Sequence, residues 1–516
     1  MGGSANQELQ GPDLKDGVAF GDLEESKPLI GHVDGQQIIL VRQGDDVLAV
    51  SASCKHYGGP LNEGFVADGI VRCPWHHARY ELKTGRNVGA PGLESLSCYT
   101  VARDGDSVRV TGRKDPVAPP AARTHPESVV IIGAGAAGEA CAETLRREGY
   151  EGPITILSQS EPFTVDRPNL SKDYLAGEAP DEWLPIRDQP FFEEQDIDYV
   201  EDEVREVNLS KKELKLSNRT LPFDALVFAT GAEPRKLSTP GFDQEHVRTL
   251  RSLDDARRLV ELVKKEEIKN AVVIGAGFIG LEAAASLTKQ GLSVHVVAPE
   301  EIPLARIMGE EVGRHVHKIH VNHGVSFSLG RKVTSIQQQS VTLDDGTILA
   351  ADLVVVGVGV SPRVSLAEDL DGVEIDDGIV VDDRLRAKND GVWAIGDVAS
   401  YPYRGSQVRV EHWTVARRHG QHAALDILGR GRPFDDVPFF WSTHWGKRLS
   451  YMGHASSTDH VTVHGSLEDH DAIVVYRNDE GKIEAVVTLG RDLLSLKAEH
   501  LLERDDQEQL EALIQH

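Results

Sequence analysis

The amino-acid sequence predicts a multidomain protein with an all-β domain first, a long α/β region in the middle and an α+β domain at the end. Three observations predict this class. Short alternating strands fill roughly the first 115 residues, two strand–glycine turn–helix units recur about 140 residues apart, and the last part returns to strands before a closing helix. The length of 516 residues suits three or four domains.

Composition excludes several classes of protein. No run of about 18 apolar residues could span a bilayer, and the first residues lack the charged start and apolar core of a signal peptide, so the cytoplasm is the expected location. The formal net charge of −27 argues against nucleic acid as a partner, because that binding depends on Lys and Arg. The four cysteines contain no Cys-x-x-Cys pair, which disfavours disulfide chemistry.

The predicted first domain covers residues 1–115. The stretches "QQIILVRQGDDVLAVSA" and "YTVARDGDSVRVTG" each place acidic and glycine residues between apolar alternations, as β-hairpins do. Residues 116–127 follow as a linker, because "RKDPVAPPAARTHPES" is rich in Pro and Ala and has no periodicity.

One stretch of the first domain, "CKHYGGPLNEGFVADGIVRCPWHH", combines Cys-x-His with a later Cys-x-x-His. The two pairs supply two thiolates and two imidazoles, which suits zinc or an iron–sulfur cluster. Structural zinc sites normally use other spacings, whereas a Rieske [2Fe–2S] centre takes two His on one iron and two Cys on the other. Incidental cysteines and core histidines would explain both spacings poorly.

The pattern resembles the Rieske family of soluble ferredoxins, including "CPWH" and the glycine turn "YGGP". The resemblance implies that Cys54 and Cys73 hold one iron while His56 and His76 hold the other and pass electrons. His77 stands where the family usually has Gly, and we expect its side chain to be exposed.

The residues around the motif predict a low-potential cluster. High-potential Rieske proteins carry two further cysteines and a Ser that donates to a cluster sulfur, whereas this chain lacks those cysteines and has Ala78 at the Ser position. Tyr80 keeps an aromatic hydroxyl nearby. Fewer donors stabilise the reduced cluster less.

Two glycine motifs follow the linker, in "SVVIIGAGAAGEACAETLRREGY" and "NAVVIGAGFIGLEAAASLTKQG". Each lies between an apolar strand and a helix, so its backbone N–H groups can meet a pyrophosphate at the helix N-terminus. Glycines that only permit tight turns would explain one copy better than two. The chain therefore contains two Rossmann-type units. The predicted dinucleotide-binding glycines are Gly133, Gly135, Gly138, Gly275, Gly277 and Gly280.

Two further stretches, "LVFATGAEP" and "VWAIGDVAS", resemble the second and third FAD contacts of two-dinucleotide flavoprotein reductases. The resemblance implies FAD contacts from Thr230, Gly231, Gly396 and Asp397, with Asp397 accepting a hydrogen bond from a ribitol hydroxyl. Gly359 is also assigned to cofactor binding. An outer FAD domain (128–243 and 376–432) would then enclose a nicotinamide domain (244–375), and residues 433–516 would form the C-terminal domain.

The stretch "VDRPNLSKDYL" resembles a loop of apoptosis-inducing-factor-like and oxygenase-coupled ferredoxin reductases. In those families the matching Arg167 contacts FAD and Lys172 lies near the flavin ring, paired with Glu282. Trp413, in "VEHWTVARRHG", would lie against the flavin or nicotinamide. Considered singly, such a Trp is more often core and such a Lys a solvated charge. The predicted catalytic residues are Lys172, Glu282 and Trp413.

The order of segments resembles the Rieske-containing apoptosis-inducing-factor-like flavoproteins across nearly the whole chain. It implies an FAD-dependent NAD(P)H oxidoreductase that passes electrons through flavin to the cluster and on to an acceptor such as an oxygenase component, a cytochrome, a quinone or oxygen. A sensor that changes conformation or oligomeric state on binding NADH, with slow turnover, is the alternative. The sequence leaves a homodimer as an open alternative to a monomer. A disulfide reductase is disfavoured because Cys141 has no nearby cysteine.

The nucleotide preference departs from the usual pattern. An acidic residue normally ends the second strand and binds the ribose hydroxyls, but Gln159 and Ala298 stand at those positions. Glu161 and Glu300, two residues further on, would substitute if the loops bend. No Arg cluster supports NADPH, so NADH is the expected donor.

Overall fold

The described residues of the first part of the chain form ten short strands in two antiparallel sheets. This computed structural model describes residues 9–159 and 164–515. The two predicted hairpins form β3 with β4 and β9 with β10, and the four-stranded sheet β5–β8 has the loops before β5 and between β6 and β7 at one end. The strands are β1 Val18–Ala19, β2 Leu29–Val33, β3 Gln36–Gln43, β4 Asp46–Ser51, β5 Phe65–Ala67, β6 Ile70–Arg72, β7 Arg79–Glu81, β8 Asn87–Gly89, β9 Cys98–Asp104 and β10 Ser107–Arg113.

The first α/β unit follows a stretch without helix or strand between β10 and β11. Its parallel sheet has the order β13-β12-β11-β17-β29, with apolar strands buried on both faces. The elements are β11 Val129–Ile132, α1 Ala136–Arg147, β12 Ile154–Ser158, α2 Arg167–Leu170, α3 Gln189–Glu194, β13 Ile197–Glu201, β14 Glu206–Asn208, β15 Glu213–Lys215, β16 Thr220–Pro222, β17 Ala225–Phe228 and β18 Ala232–Pro234.

The second α/β unit is inserted before the last strand of the first sheet. Its own parallel sheet has the order β19-β26-β20-β21-β22, and β20 leads into α5 as β11 leads into α1. The elements are β19 Val247–Thr249, α4 Leu253–Val263, β20 Asn270–Ile274, α5 Phe278–Lys289, β21 Ser293–Ala298, α6 Ala305–Asn322, β22 Ser326–Leu329, β23 Val333–Gln337, β24 Ser340–Leu343, β25 Ile348–Ala350, β26 Leu353–Val356 and β27 Val360–Pro362.

The chain then returns to the first unit and ends in a separate antiparallel sheet of order β32-β33-β36-β35-β34. Within the described part of the chain, no helix is long and apolar enough to cross a membrane. The elements are β28 Ile379–Val380, β29 Val392–Ala394, β30 Ala399–Tyr403, β31 Ser406–Val408, α7 Trp413–Ile427, β32 Phe439–His444, β33 Lys447–Gly453, β34 His460–Ser466, β35 Asp471–Arg477, β36 Ile483–Leu489, α8 Asp492–Glu503 and α9 Gln507–Ile514.

The predicted fold class is confirmed, with one correction at the end of the chain. The single closing helix expected there is two helices, α8 and α9. The break falls at Asp505, whose φ of 53° is left-handed. The Asp506 side chain then caps α9 by accepting the Gln509 backbone N–H at 3.1 Å.

Candidate redox site

The Cys and His residues of the first motif come together at the end of the small sheet. Cys54 and Cys73 are buried in the same cluster of side chains, and the interaction between their thiols lowers the pKa of Cys54 and raises the pKa of Cys73. The Nδ1 atoms of His56 and His76 lie 3.1 Å apart. Paired thiols beside paired imidazole nitrogens fit the donor set of a Rieske [2Fe–2S] cluster, in which each pair holds one iron.

A tyrosine hydroxyl contacts one of the paired thiols. The Tyr80 Oη lies 3.2 Å from the Cys54 Sγ and accepts the Lys55 backbone N–H at 3.0 Å. Because that N–H occupies a lone pair, the hydroxyl proton is free to point at the sulfur. Tyr80 can therefore donate one hydrogen bond to a cluster ligand, while Ala78, at the Ser position, is buried without a side-chain donor.

His77 is fully buried, so the expectation that it is exposed is wrong. Its Nδ1 lies 2.7 Å from the Glu499 Oε2, and its Nε2 lies 3.1 Å from the Ser495 Oγ. The ring stacks on Phe439 at a centroid distance of 3.8 Å. These partners belong to α8 and β32 of the C-terminal part, more than 350 residues away in sequence, so His77 joins the β domain to the rest of the protein.

Glu499 is the centre of a buried ionic network that holds the β domain in place. Its Oε1 accepts a hydrogen bond from Arg418 at 2.9 Å, and Arg72 lies 3.7 Å from its Oε2. Burial alone raises the pKa of Glu499, but the charge of Arg418 and the contacts with His77 and Arg72 hold that pKa well below its usual range. Arg79 pairs with Asp436 in the same interface.

The first glycine motif gives each glycine a different task. Gly133 has a φ of 115°, and a Cβ there would meet the Ala229 carbonyl oxygen at 2.2 Å. A Cβ at Gly138 would meet the Gly133 oxygen at 2.0 Å, so this glycine lets α1 approach β11. A Cβ at Gly135, the N-cap of α1, would meet nothing within 4 Å. The open space beside Gly135 suits a bound pyrophosphate.

The second glycine motif repeats this arrangement. Gly275 has a φ of 109° and faces the Gly357 oxygen, while Gly280 closes on the Gly275 oxygen. A Cβ at Gly277, the N-cap of α5, would again meet nothing within 4 Å. Two independent helix N-termini are therefore open to dinucleotides.

Both motifs border one cavity of about 1620 Å³. This volume exceeds the roughly 300–1,000 Å³ of ordinary small-molecule sites and suits two dinucleotides. Gly138, Gly275 and Gly280 lie behind the wall. The predicted residues that line the cavity are Gly133, Gly135, Arg167, Lys172, Thr230, Gly231, Gly277, Glu282, Gly359, Gly396, Asp397 and Trp413.

The residues considered for ribose binding lie in different surroundings. Gln159 follows β12 and lines the cavity, whereas Ala298 is buried at the end of β21. The Glu300 carbonyl accepts the Gly330 backbone N–H at 3.1 Å. Glu161 lies outside the described residues.

Lys172 and Glu282 form the ion pair that the resemblance implied. The Lys172 Nζ donates to the Glu282 Oε2 at 2.8 Å and to the Pro168 carbonyl at 2.9 Å. The Ser171 hydroxyl also donates to the Glu282 Oε2, at 2.6 Å. Glu282 is only 5% exposed, so these donors offset the cost of burying its charge.

Three of the cavity-wall residues that sequence reasoning did not assign to the site are Arg251, His412 and Trp441. The Arg251 guanidinium donates to the Asp397 Oδ2 at 2.6 Å. His412 precedes Trp413, burial lowers its pKa to about 3, and its Nδ1 finds no hydrogen-bond partner among the described residues. Trp441 lines the cavity from β32. No motif flanks Trp441 in the sequence, so no local signal marked it. His412 belongs to the stretch "VEHWTVARRHG", whose resemblance to reductases could have pointed to it.

The cluster loops reach the cavity through aromatic and polar contacts. The His76 ring lies 4.2 Å from the Trp441 ring, centroid to centroid. The Tyr57 hydroxyl donates to the Asp166 Oδ2 at 2.7 Å, next to Arg167 on the cavity wall. The histidine side of the cluster site therefore adjoins the dinucleotide cavity.

Comparison with known families agrees with this arrangement. A model for pyridine nucleotide-disulphide oxidoreductases matches residues 127–420, a Rieske [2Fe-2S] domain model matches 18–100, and a reductase C-terminal model matches 439–516. The chain belongs to the pyridine nucleotide-disulphide oxidoreductase family and carries a Rieske domain. It is an FAD- and [2Fe–2S]-dependent NAD(P)H oxidoreductase of the ferredoxin reductase type.

Individual relatives share this organisation to different extents. Apoptosis-inducing factor 3 of Mus musculus is 32% identical over 93% of this chain and 82% of its own. The ferredoxin–NAD(+) reductase component of an anthranilate 1,2-dioxygenase system from Burkholderia cepacia is 33% identical over 70% of this chain and 91% of its own. A covalent putidaredoxin reductase–putidaredoxin complex superposes with a TM-score of 0.70 at 30% identity, covering 73% of this chain and 93% of that one.

The remaining cysteine of the α/β region does not supply disulfide chemistry. Cys141 lies on α1, is fully buried, and burial raises the pKa of its thiol. No second cysteine pairs with it, since all four cysteines are free and Cys54 and Cys73 stand at the cluster site.

Proposed function

We propose that this protein passes electrons from NADH through FAD to its own Rieske cluster and on to a separate redox protein. The contact between Trp441 and His76 carries the proposal, because Trp441 lines the dinucleotide cavity and touches a predicted cluster ligand. A single aromatic side chain thus spans the gap between the two sites. Cys54 and Cys73 would hold one iron of the cluster, and His56 and His76 would hold the other.

The residues of the cavity would bind and orient the two dinucleotides. Gly135 and Gly277 leave room for the pyrophosphates, Asp397 would accept a hydrogen bond from ribitol, and Trp413 would provide an aromatic face for ring stacking. Bound FAD supplies the exchange between two-electron and one-electron transfer. Lys172, held by Glu282, places a positive charge at the wall where negative charge develops.

NADH is the proposed donor, and an oxygenase or ferredoxin-like component is the proposed acceptor. The name of the Burkholderia cepacia relative specifies NAD(+) and a dioxygenase system, and the solved complex pairs a reductase of similar fold with putidaredoxin. In this chain the Rieske domain is docked on the rest of the protein through the contacts of His77 and Arg72 with Glu499 and through the Arg79–Asp436 pair.

An anaerobic titration with NADH, and separately with NADPH, tests the proposal. Flavin bleaching near 450 nm reports the first transfer and the reduced-cluster EPR signal reports the second. Fast bleaching with NADH followed by the EPR signal is expected. Slow bleaching into a long-lived complex, with the cluster still oxidised, would favour the sensor alternative.

A Trp441→Leu variant makes the test specific to the proposed route. Leu keeps the cavity wall apolar but removes the ring that contacts His76, so cluster reduction should slow while flavin bleaching keeps its rate. Trp183→Leu is the matched control, since Trp183 is 55% exposed. If the cluster were reduced at the same rate in Trp441→Leu as in Trp183→Leu, a route through Trp441 would be contradicted.

A further inference from the structure

A continuous line of hydrogen bonds leaves the Lys172–Glu282 pair on the side away from Lys172. The Ser442 Oγ lies 2.6 Å from the Glu282 Oε1 and 3.1 Å from the His444 Nε2. The His444 Nδ1 lies 3.2 Å from the His320 Nε2. The line joins α5, β32 and α6, and we name Ser442, His444 and His320 the Ser–His–His chain.

The outer end of this chain lies beneath a hairpin turn at the protein surface. Trp445, in the turn between β32 and β33, donates its indole N–H to the His320 Nδ1 at a long distance of 3.4 Å. The exposed His323 ring stacks on Trp445 at 4.2 Å. The Trp445 indole therefore contacts both the His320 Nδ1 and the exposed His323 ring.

The donor at the outer end sets the direction of every bond in the chain. Because Trp445 can only donate, the His320 Nδ1 accepts and its Nε2 carries the proton. His320 then donates to the His444 Nδ1, His444 donates from Nε2 to Ser442, and the Ser442 hydroxyl donates to the Glu282 carboxylate. All bonds point inward, as delivery of a proton to Glu282 requires.

Both imidazoles in the chain are neutral, as this pattern demands. Burial lowers the pKa of His320 to about 2, and the neighbouring His444, His323 and His317 act in the same direction. Burial, with the charge of Lys172, lowers the pKa of His444 to about 3. A neutral imidazole has one donor and one acceptor, so it can relay a proton by changing tautomer.

We propose that the Ser–His–His chain conducts a proton from the surface near Trp445 to Glu282 when the flavin site is reduced, and returns it on reoxidation. The inference rests on the proposed function only in placing the flavin beside Lys172. A hydride from a reduced nicotinamide takes no proton from solvent, yet it leaves negative charge at the site. Protonating Glu282 would leave the Lys172 charge free to offset it.

The transfer balances in atoms and charge. His320 gives its Nε2 proton to the His444 Nδ1, His444 gives its Nε2 proton to Ser442, and Ser442 gives its hydroxyl proton to Glu282. Solvent supplies one proton to the His320 Nδ1 after the Trp445 indole turns aside. Four bonds to hydrogen break and four form. After the transfer, every hydrogen bond of the Ser–His–His chain donates toward the surface, which is the direction needed to return the proton.

The test counts protons taken from solvent during the flavin-bleaching phase, with a pH indicator in anaerobic stopped flow with NADH. Wild-type protein should take up about one proton per flavin, since hydride transfer itself takes none. His444→Gln should lose this uptake, because an amide keeps a donor and an acceptor but does not relay protons. His317→Gln is the matched control and should keep it, since His317 lies on α6 outside the chain.

Two outcomes would overturn the proton path. One is that the wild-type protein takes up no proton during bleaching. The other is that His444→Gln takes up as many protons as the wild type, which would mean that the Ser–His–His chain only braces α5, β32 and α6. Should His444→Gln lose its FAD absorbance, Ser442→Ala replaces it and should likewise lose uptake. A cluster that stays oxidised by EPR contradicts the proposed function instead, and leaves the proton count during bleaching a valid test of the path.

Discussion

Replacing Gly135 by Ala should weaken FAD binding while leaving the apoprotein intact. The backbone at Gly135 has a φ of −74°, which any residue adopts, and the added methyl would meet no atom within 4 Å. Because Gly135 is the N-cap of α1 and Ala is a poorer N-cap than Gly, the free energy of unfolding should fall by no more than about 1 kcal/mol. The methyl would instead project toward the space beside the α1 N-terminus, where the pyrophosphate should bind.

The expected loss of affinity follows from overpacking. Forcing one extra methyl into a filled contact costs about 1–3 kcal/mol. Since about 1.4 kcal/mol corresponds to a tenfold change, FAD should bind about 5- to 150-fold more weakly. Gly138→Ala should behave differently, because its methyl would lie 2.0 Å from the Gly133 oxygen and so disturb α1 itself.

The assay is FAD titration of each apoprotein, followed by flavin fluorescence, beside thermal unfolding of the same samples. Gly277→Ala is the matched control in the second motif, since it too adds a methyl in open space. It should keep FAD affinity and weaken NADH binding, measured from the NADH dependence of flavin bleaching. Wild-type FAD affinity in Gly135→Ala, or an apoprotein melting much lower, would refute the reasoning.

Three further predictions concern the Rieske domain. Tyr80→Phe removes the hydroxyl beside the Cys54 Sγ, so the cluster potential in an EPR redox titration should fall by about 60 mV for each ~1.4 kcal/mol of hydrogen bonding lost; an unchanged potential would mean that the hydroxyl does not act on the cluster. Glu499→Ala leaves Arg418 buried without its carboxylate, a cost of about 3–5 kcal/mol, so cluster reduction should slow while flavin bleaching does not, and exposed Glu508→Ala should alter neither. Because the pKa of Glu499 is lowered in the folded protein, its contribution to docking is fully present above the unfolded value of about 4.3 and should decline progressively as pH falls from there toward the lowered pKa. Protease cleavage within residues 116–127 should increase over the same range, and unchanged cleavage would contradict the docking network.

Local pattern was enough to predict much of the fold and part of the site. The hairpins and the two strand–glycine turn–helix units follow from periodicities of two and 3.6 residues, which a short stretch displays completely. Gly133 and Gly275 could be placed because a tight turn demands a left-handed backbone at that point. The Lys172–Glu282 contact came from resemblance, since nothing local joins residues 110 positions apart.

The break between α8 and α9 was open to prediction but was missed. Asp506 three residues before Gln509 is an ordinary N-cap pattern, yet the apolar periodicity on both sides favoured one helix. The structure shows a left-handed Asp505 between the two helices. The local pattern was therefore compatible with one continuous helix or with two helices, and the packing of α8 and α9 decided for two.

Sequence alone therefore determined the order of the units, their class and the residue types suited to a cluster and two dinucleotides. Only the tertiary structure decided that His77 is buried against Glu499, that Trp441 joins His76 to the cavity, and that His320 and His444 meet. The physical reason is distance along the chain. A polar side chain takes its role from the partner that burial provides, and these partners lie about 120 to 420 residues away, where no local pattern can record them.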